Sequence, residues 1–139
     1  MMTERRFAQK RGLDEASREG IRRTLSTALS GLPEVVFAYL HGSFVAESEF
    51  RDVDVAVFVE SGVEEFPFES DLSYDLTKRT GLPVEVRVIN RAPVAFQMAV
   101  LRGGHLLVAR SEAALTDFIE DVGRQYREYK HFRDLFLAA

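Results

Sequence analysis

Two aspartates one residue apart, Asp52 and Asp54, stand at the head of an apolar run that continues to Val59. Alternate residues of a strand share a face, so the two carboxylates lie together while Val53, Val55 and Val57 share the other side. Like charges held this close repel unless a cation sits between them. Hard oxygen donors suit Mg2+, which commonly arrives with phosphate. Upstream, a second apolar run, Val35 to Leu40, breaks off at His41-Gly42-Ser43. A glycine lets backbone approach an anion closely, and the serine adds an N–H and a hydroxyl as donors. Taken singly, a Gly-Ser pair is usually a turn and a D-x-D a solvated strand end. Joined by a short connector between two apolar strands, they point to a phosphate grip and a metal grip in one hairpin, as a nucleotide site requires.

Composition narrows the remaining choices. A chain of 139 residues, 46% of them hydrophobic, has enough apolar material for one compact domain with its own core. The net charge of -4 supplies no general attraction to nucleic acid or to an anionic membrane. The absence of cysteine excludes disulfides, zinc–thiolate sites and thiol nucleophiles, and it fits a reducing compartment. The opening Met1-Met2-Thr3-Glu4-Arg5-Arg6 leads into no apolar stretch of signal-peptide type, and no apolar run is long enough to cross a bilayer. A cytoplasmic location without membrane contact is expected.

Taken in order, residues 1–12 read as a loose lead-in. Asp14 is placed to cap a helix carrying Ile21, Leu25, Ala28 and Leu29 on one face, stopped by Gly31 and Pro33. Val35 to Leu40 is a strand, Phe44 to Arg51 a short irregular or helical turn, and Asp52 to Val59 a second strand. Val63 to Phe68, with two acids and a proline, reads as a loop before a helix over Leu72 to Arg79. A third strand, Val84 to Asn90, puts Val84, Val86 and Val88 on one face and Glu85 and Arg87 on the other. A helix from Pro93 to Leu101, a fourth strand from His105 to Ala109 and a long helix over residues 111–137 complete the chain. The expected fold is α+β (mixed α/β): a single domain over residues 1–139 with about four strands in a mixed sheet packed by helices.

Metal-assisted transfer at phosphorus needs a carboxylate beyond the first pair, to share the ion or to draw a proton from the attacking hydroxyl. Glu85 stands on the polar face of an otherwise apolar strand, where a neighbouring strand can bring it beside Asp52 and Asp54. A solvated face paired with Arg87 fits the same pattern. With these residues in view, Gly42-Ser43, Asp52-x-Asp54 and an acid on the next strand resemble the signature of polymerase-β-type nucleotidyltransferases. More narrowly, they resemble the minimal nucleotidyltransferases (MNT), the MntA-like antitoxins of HEPN/MNT toxin–antitoxin pairs. The segments Val84 to Pro93 and Val100 to Leu107, and the final helix with Tyr126 and Tyr129, are similar to the corresponding parts of that family.

The resemblance implies a nucleotidyltransferase fold and a protein adenylyltransferase. Such an enzyme moves AMP from ATP, with Mg2+, onto a tyrosine of a partner HEPN-domain RNase toxin and thereby neutralises it, in a possible hetero-oligomer with that toxin. Carried over by position, Gly42 and Ser43 hold the triphosphate with Arg51 beside it. Asp52 and Asp54 hold metal, and Glu85 is the third carboxylate and the candidate for activating the tyrosine hydroxyl. This chain departs from the family pattern at Glu47, where glycine is frequent, at Arg51, where serine is common, and at Glu85, where aspartate is common. Its connector is also shorter. Two alternatives stay open: an antitoxin acting by binding alone on a degenerate site, and a nucleotidyltransferase for a small molecule or an RNA end. The basic residues Arg124, Arg127, Lys130 and Arg133 of the last helix fit a solvated face or a contact with toxin or nucleotide.

Overall fold

The computed structural model describes residues 9–138. A two-residue strand β1 (Arg11–Gly12) precedes helix α1 (Glu15–Ser30), whose first turn is capped by Asp14 accepting from the Ser17 N–H at 2.7 Å. Strand β2 (Val35–His41) runs into the one-turn helix α2 (Ser43–Ala46), followed by β3 (Glu49–Phe50) and β4 (Val53–Val59). Helix α3 (Glu65–Thr80), β5 (Val84–Val88), α4 (Val94–Gly103), β6 (His105–Ala109) and α5 (Glu112–Ala138) complete the order.

Four strands form one mixed sheet in the order β5-β4-β2-β6. β2 runs antiparallel to both β4 and β6, whereas β4 and β5 are parallel. A parallel pair needs a crossover, and α3 is that crossover. Helices cover both faces. Leu25 and Leu29 of α1 and Leu72 and Leu76 of α3 pack with Leu40, Val55, Val57 and Val86 on one side. Val100 of α4 and Phe118 and Val122 of α5 pack with Phe37, Tyr39 and Ala56 on the other. An irregularity between Val35 and Phe37 brings Val36 and Phe37 into the same core, where Phe37 stacks on Phe58 at 4.8 Å.

β5 is an edge strand, and α3 lies along it as a surrogate neighbour. The N–H groups of Val84, Val86 and Val88 donate to Thr77 Oγ1 at 3.0 Å, Ser73 Oγ at 2.9 Å and Glu69 Oε2 at 2.7 Å. The acceptors recur every fourth residue of α3, one per turn, matching the alternate amides of the strand.

The expected mixed α/β architecture with a four-stranded sheet is what forms, with several boundaries displaced. The segment expected as a loop before Leu72 is helical from Glu65. Pro67 fits because the first four N–H groups of a helix have no partner within it. In the expected lead-in, Arg11 and Gly12 pair with Phe50 and Glu49, while residues 1–8 lie outside the described residues. The third strand ends at Val88. Beyond it, the Asn90 side chain takes a strand's place, accepting from Val59 N at 2.9 Å and donating to Val59 O at 2.8 Å. Among the described residues no helix is long and apolar enough to cross a membrane.

Candidate active site

The site grows out of the end of the sheet where β2 stops and β4 begins. His41, Asp54 and Glu85 are register neighbours across β2, β4 and β5, so their side chains stand in one row. Asp52 lies just before β4, where the Val53 N–H donates to Pro83 O at 2.8 Å and ties the entrances of the two parallel strands together. Asp52, Asp54 and Glu85 thereby present carboxylate oxygens that all lie within 4.8 Å of one another. Glu85 is exposed, and the two aspartates are half-buried. The three acids picked out in the sequence are thus brought to one point.

Their proximity has an electrostatic cost. Burial, and then the charges of Glu85 and Asp52, push the Asp54 carboxyl up to about 6 from its ordinary 3.8. An all-oxygen donor set with this much unbalanced negative charge fits a hard divalent cation and fits neither an anion nor a soft metal.

Gly42 is part of the same construction. Its φ of 79° and ψ of -160° belong to a region essentially reserved for glycine. A methyl group there would run into Asp54 Oδ2 and stand 3.1 Å from Asp54 Cγ. With a side chain here, the turn into α2 could pass only if the carboxylate moved. Ser43 and Arg51 meet on a charged cleft of about 280 Å3, lined with Lys10, Glu47, Glu49, Phe50 and Asp52. Glu47, exposed, faces the same opening. Asp52 and Glu85 border a second cleft of about 330 Å3, completed by Ser73, Pro83 and Val84.

Behind the carboxylates, Arg87 lies 4.1 Å over the ring of Phe96, and His41 meets that ring edge-on at 5.5 Å. Burial and the nearby Arg87 charge hold the His41 imidazole below its ordinary value, so it stays neutral at pH 7.

One residue with a large part in this geometry has no sequence signal. Arg18, at the end of the first turn of α1, is buried. It donates from Nε to Leu13 O at 3.2 Å, from Nη2 to Ser48 O at 2.6 Å and from Nη1 to Phe44 O. Its guanidinium packs against the rings of Phe44 and Phe50, at 5.0 and 5.2 Å. This one side chain ties the start and the middle of the connector between Gly42 and Asp52 to α1. An arginine among polar helix residues reads as solvent-facing, so only the tertiary packing shows its role.

The sequence profile of the family described as Polymerase beta, Nucleotidyltransferase matches residues 23–113. No curated protein matches. Among solved structures, a chain of a toxin–antitoxin complex with AMP-PNP superposes with a TM-score of 0.71 at 18% identity, covering 84% of this chain and 95% of that one. A chain from the complex of tri-AMPylated Shewanella oneidensis HEPN toxin with its MNT antitoxin gives a TM-score of 0.68 at 16% identity, covering 86% and 96%. A chain of the MntA–HepT toxin–antitoxin complex gives 0.65 at 16% identity, covering 90% and 97%. At these identities the likeness is one of fold.

Proposed function

The chain belongs to the Polymerase beta, Nucleotidyltransferase family, and from that premise we propose that it is an antitoxin-type protein adenylyltransferase. It transfers AMP from ATP to a tyrosine of a partner HEPN RNase toxin in the cytoplasm and so neutralises it. The observation that carries this reading is the meeting of Asp52, Asp54 and Glu85 within 4.8 Å, against a turn whose glycine leaves the space that Asp54 fills. The similar complexes add support, since one holds AMP-PNP and another a tri-AMPylated HEPN toxin.

In this reading Asp52, Asp54 and Glu85 hold Mg2+, which when bound neutralises charge on the phosphates and polarises the one under attack. Ser43 and Arg51, with Lys10 beside them, take the triphosphate in the charged cleft. Gly42 keeps the turn clear of Asp54. Glu85, the most exposed of the acids, accepts the proton of the attacking tyrosine hydroxyl. Positioning and charge stabilisation supply most of the rate in such a transfer.

A second reading, an antitoxin acting by contact alone, is favoured by Glu47, whose carboxylate opens onto the cleft assigned to the triphosphate. Intact mass of the cognate HEPN toxin, after incubation with this chain, ATP and Mg2+, separates the two. One or more added AMP units, absent with the Asp52→Asn/Asp54→Asn variant, support transfer. An unchanged mass with toxicity still suppressed by both proteins supports binding alone.

A further inference from the structure

Asp52 lines two clefts of different character. One is lined by Lys10, Arg51 and Ser43 together with Glu47, Glu49 and Asp52, and its two cations and hydroxyl are the groups a polyphosphate would use. The other is lined by Pro83, Val84, Ser73 and the two carboxylates Asp52 and Glu85. None of these carries positive charge, and the Ser73 hydroxyl is already accepting from the Val86 N–H. The second cleft therefore lacks the cations of the first and offers apolar walls with acceptor groups at its border. At about 330 Å3 it sits at the small end of ligand-pocket volumes, room for a single ring.

Glu85 borders this apolar cleft and is not among the residues lining the charged one. A group that takes a proton from the attacking hydroxyl must lie where the hydroxyl arrives. We propose, resting on the transferase reading above, that the Pro83–Val84 cleft is the acceptor subsite. It receives a phenolic ring whose hydroxyl is presented to Glu85 and Asp52. The acceptor O–H bond breaks with its proton passing to the Glu85 carboxylate. A new O–P bond forms at the α-phosphorus as the bond to the leaving pyrophosphate breaks on the side of the Lys10–Arg51 cleft.

The test compares Ser73→Met, which fills the cleft and loses the hydroxyl, with Ser73→Ala, which loses the hydroxyl and leaves the cleft open. The difference between them isolates filling from the lost hydrogen bond. In AMP transfer to the cognate toxin, Ser73→Met should raise the acceptor KM about tenfold over Ser73→Ala while the ATP KM stays within about twofold. A rise in the ATP KM with the acceptor KM unmoved would mean that the cleft holds the nucleotide base, and would overturn the proposal. So would two variants with the same kinetics.

Should the native chain transfer no AMP at all, the transferase reading fails by itself, and p-cresol tests the cleft directly. Saturable shifts of the Ser73, Val84 and Glu85 amide resonances on adding p-cresol to the native chain, lost in Ser73→Met, support a phenol site. Unmoved resonances overturn it.

Discussion

Gly42 and Asp54 occupy adjoining space: a Cβ at residue 42 would overlap the Asp54 carboxylate, so the turn at the end of β2 keeps its form beside that carboxylate because residue 42 has no side chain. Gly42→Ala must either move the Asp54 carboxylate or abandon the turn, in a backbone region that costs an L-residue about 1–3 kcal/mol. We expect a lower melting temperature together with a Mg2+ affinity, read by calorimetry, reduced about tenfold or more. A variant that binds Mg2+ as the native chain does would show that the close approach has no bearing on the metal site.

Asp54 links stability to pH. The folded chain keeps this proton up to about pH 6, whereas the unfolded chain releases it near 3.8. Between those values the native state binds more protons, so stability falls as pH rises through the window and stays lowered above it. Asp54→Asn removes the repulsion, and without divalent metal at neutral pH it should melt at a higher temperature than the native chain while losing AMP transfer. Added Mg2+ should raise the native midpoint more at neutral pH than below pH 5. Thermal melts across pH, with and without Mg2+, check both statements.

Arg18 should be intolerant of apolar replacement despite its buried surroundings. Arg18→Met leaves the carbonyls of Leu13, Phe44 and Ser48 without this donor, at a cost of about 2–3 kcal/mol in urea unfolding. Amide exchange should quicken over residues 43–50 before it does in β4, because the connector loses its tether to α1. Equal acceleration in both segments would make Arg18 a general core residue.

Asn90 provides a contrast at the far end of β4. Asn90→Ala breaks a paired bond to the Val59 backbone and should cost about 1–2 kcal/mol. Transfer kinetics should stay native, since Val59 and Asp54 lie at opposite ends of the strand. A changed KM for ATP would mean that the two ends are coupled.

The sequence carried the sheet and the acids because both follow a period of two. Val53 to Val57 and Val84 to Val88 alternate, and the alternation that buries the valines also aligns Asp54 with Glu85. What lay beyond reach had no period to read. Arg11 and Gly12 are too few to display one. Pro67 and its neighbouring acids look like a loop until the first turn of a helix is recognised as the place that tolerates them. Arg18 looks like any surface arginine until Phe44 and Phe50 close over it.

The row of α3 side chains that satisfies the β5 amides also decides how a partner can approach the carboxylates. With Thr77, Ser73 and Glu69 spent on that edge, an incoming chain finds no row of free donors there to pair with as a further strand. The flank beside Glu85 is closed to backbone recognition and open only to something that protrudes. In the transferase reading proposed above, a protein acceptor reaches this site by extending a single residue into it, and its selection rests on where that residue stands on its own surface.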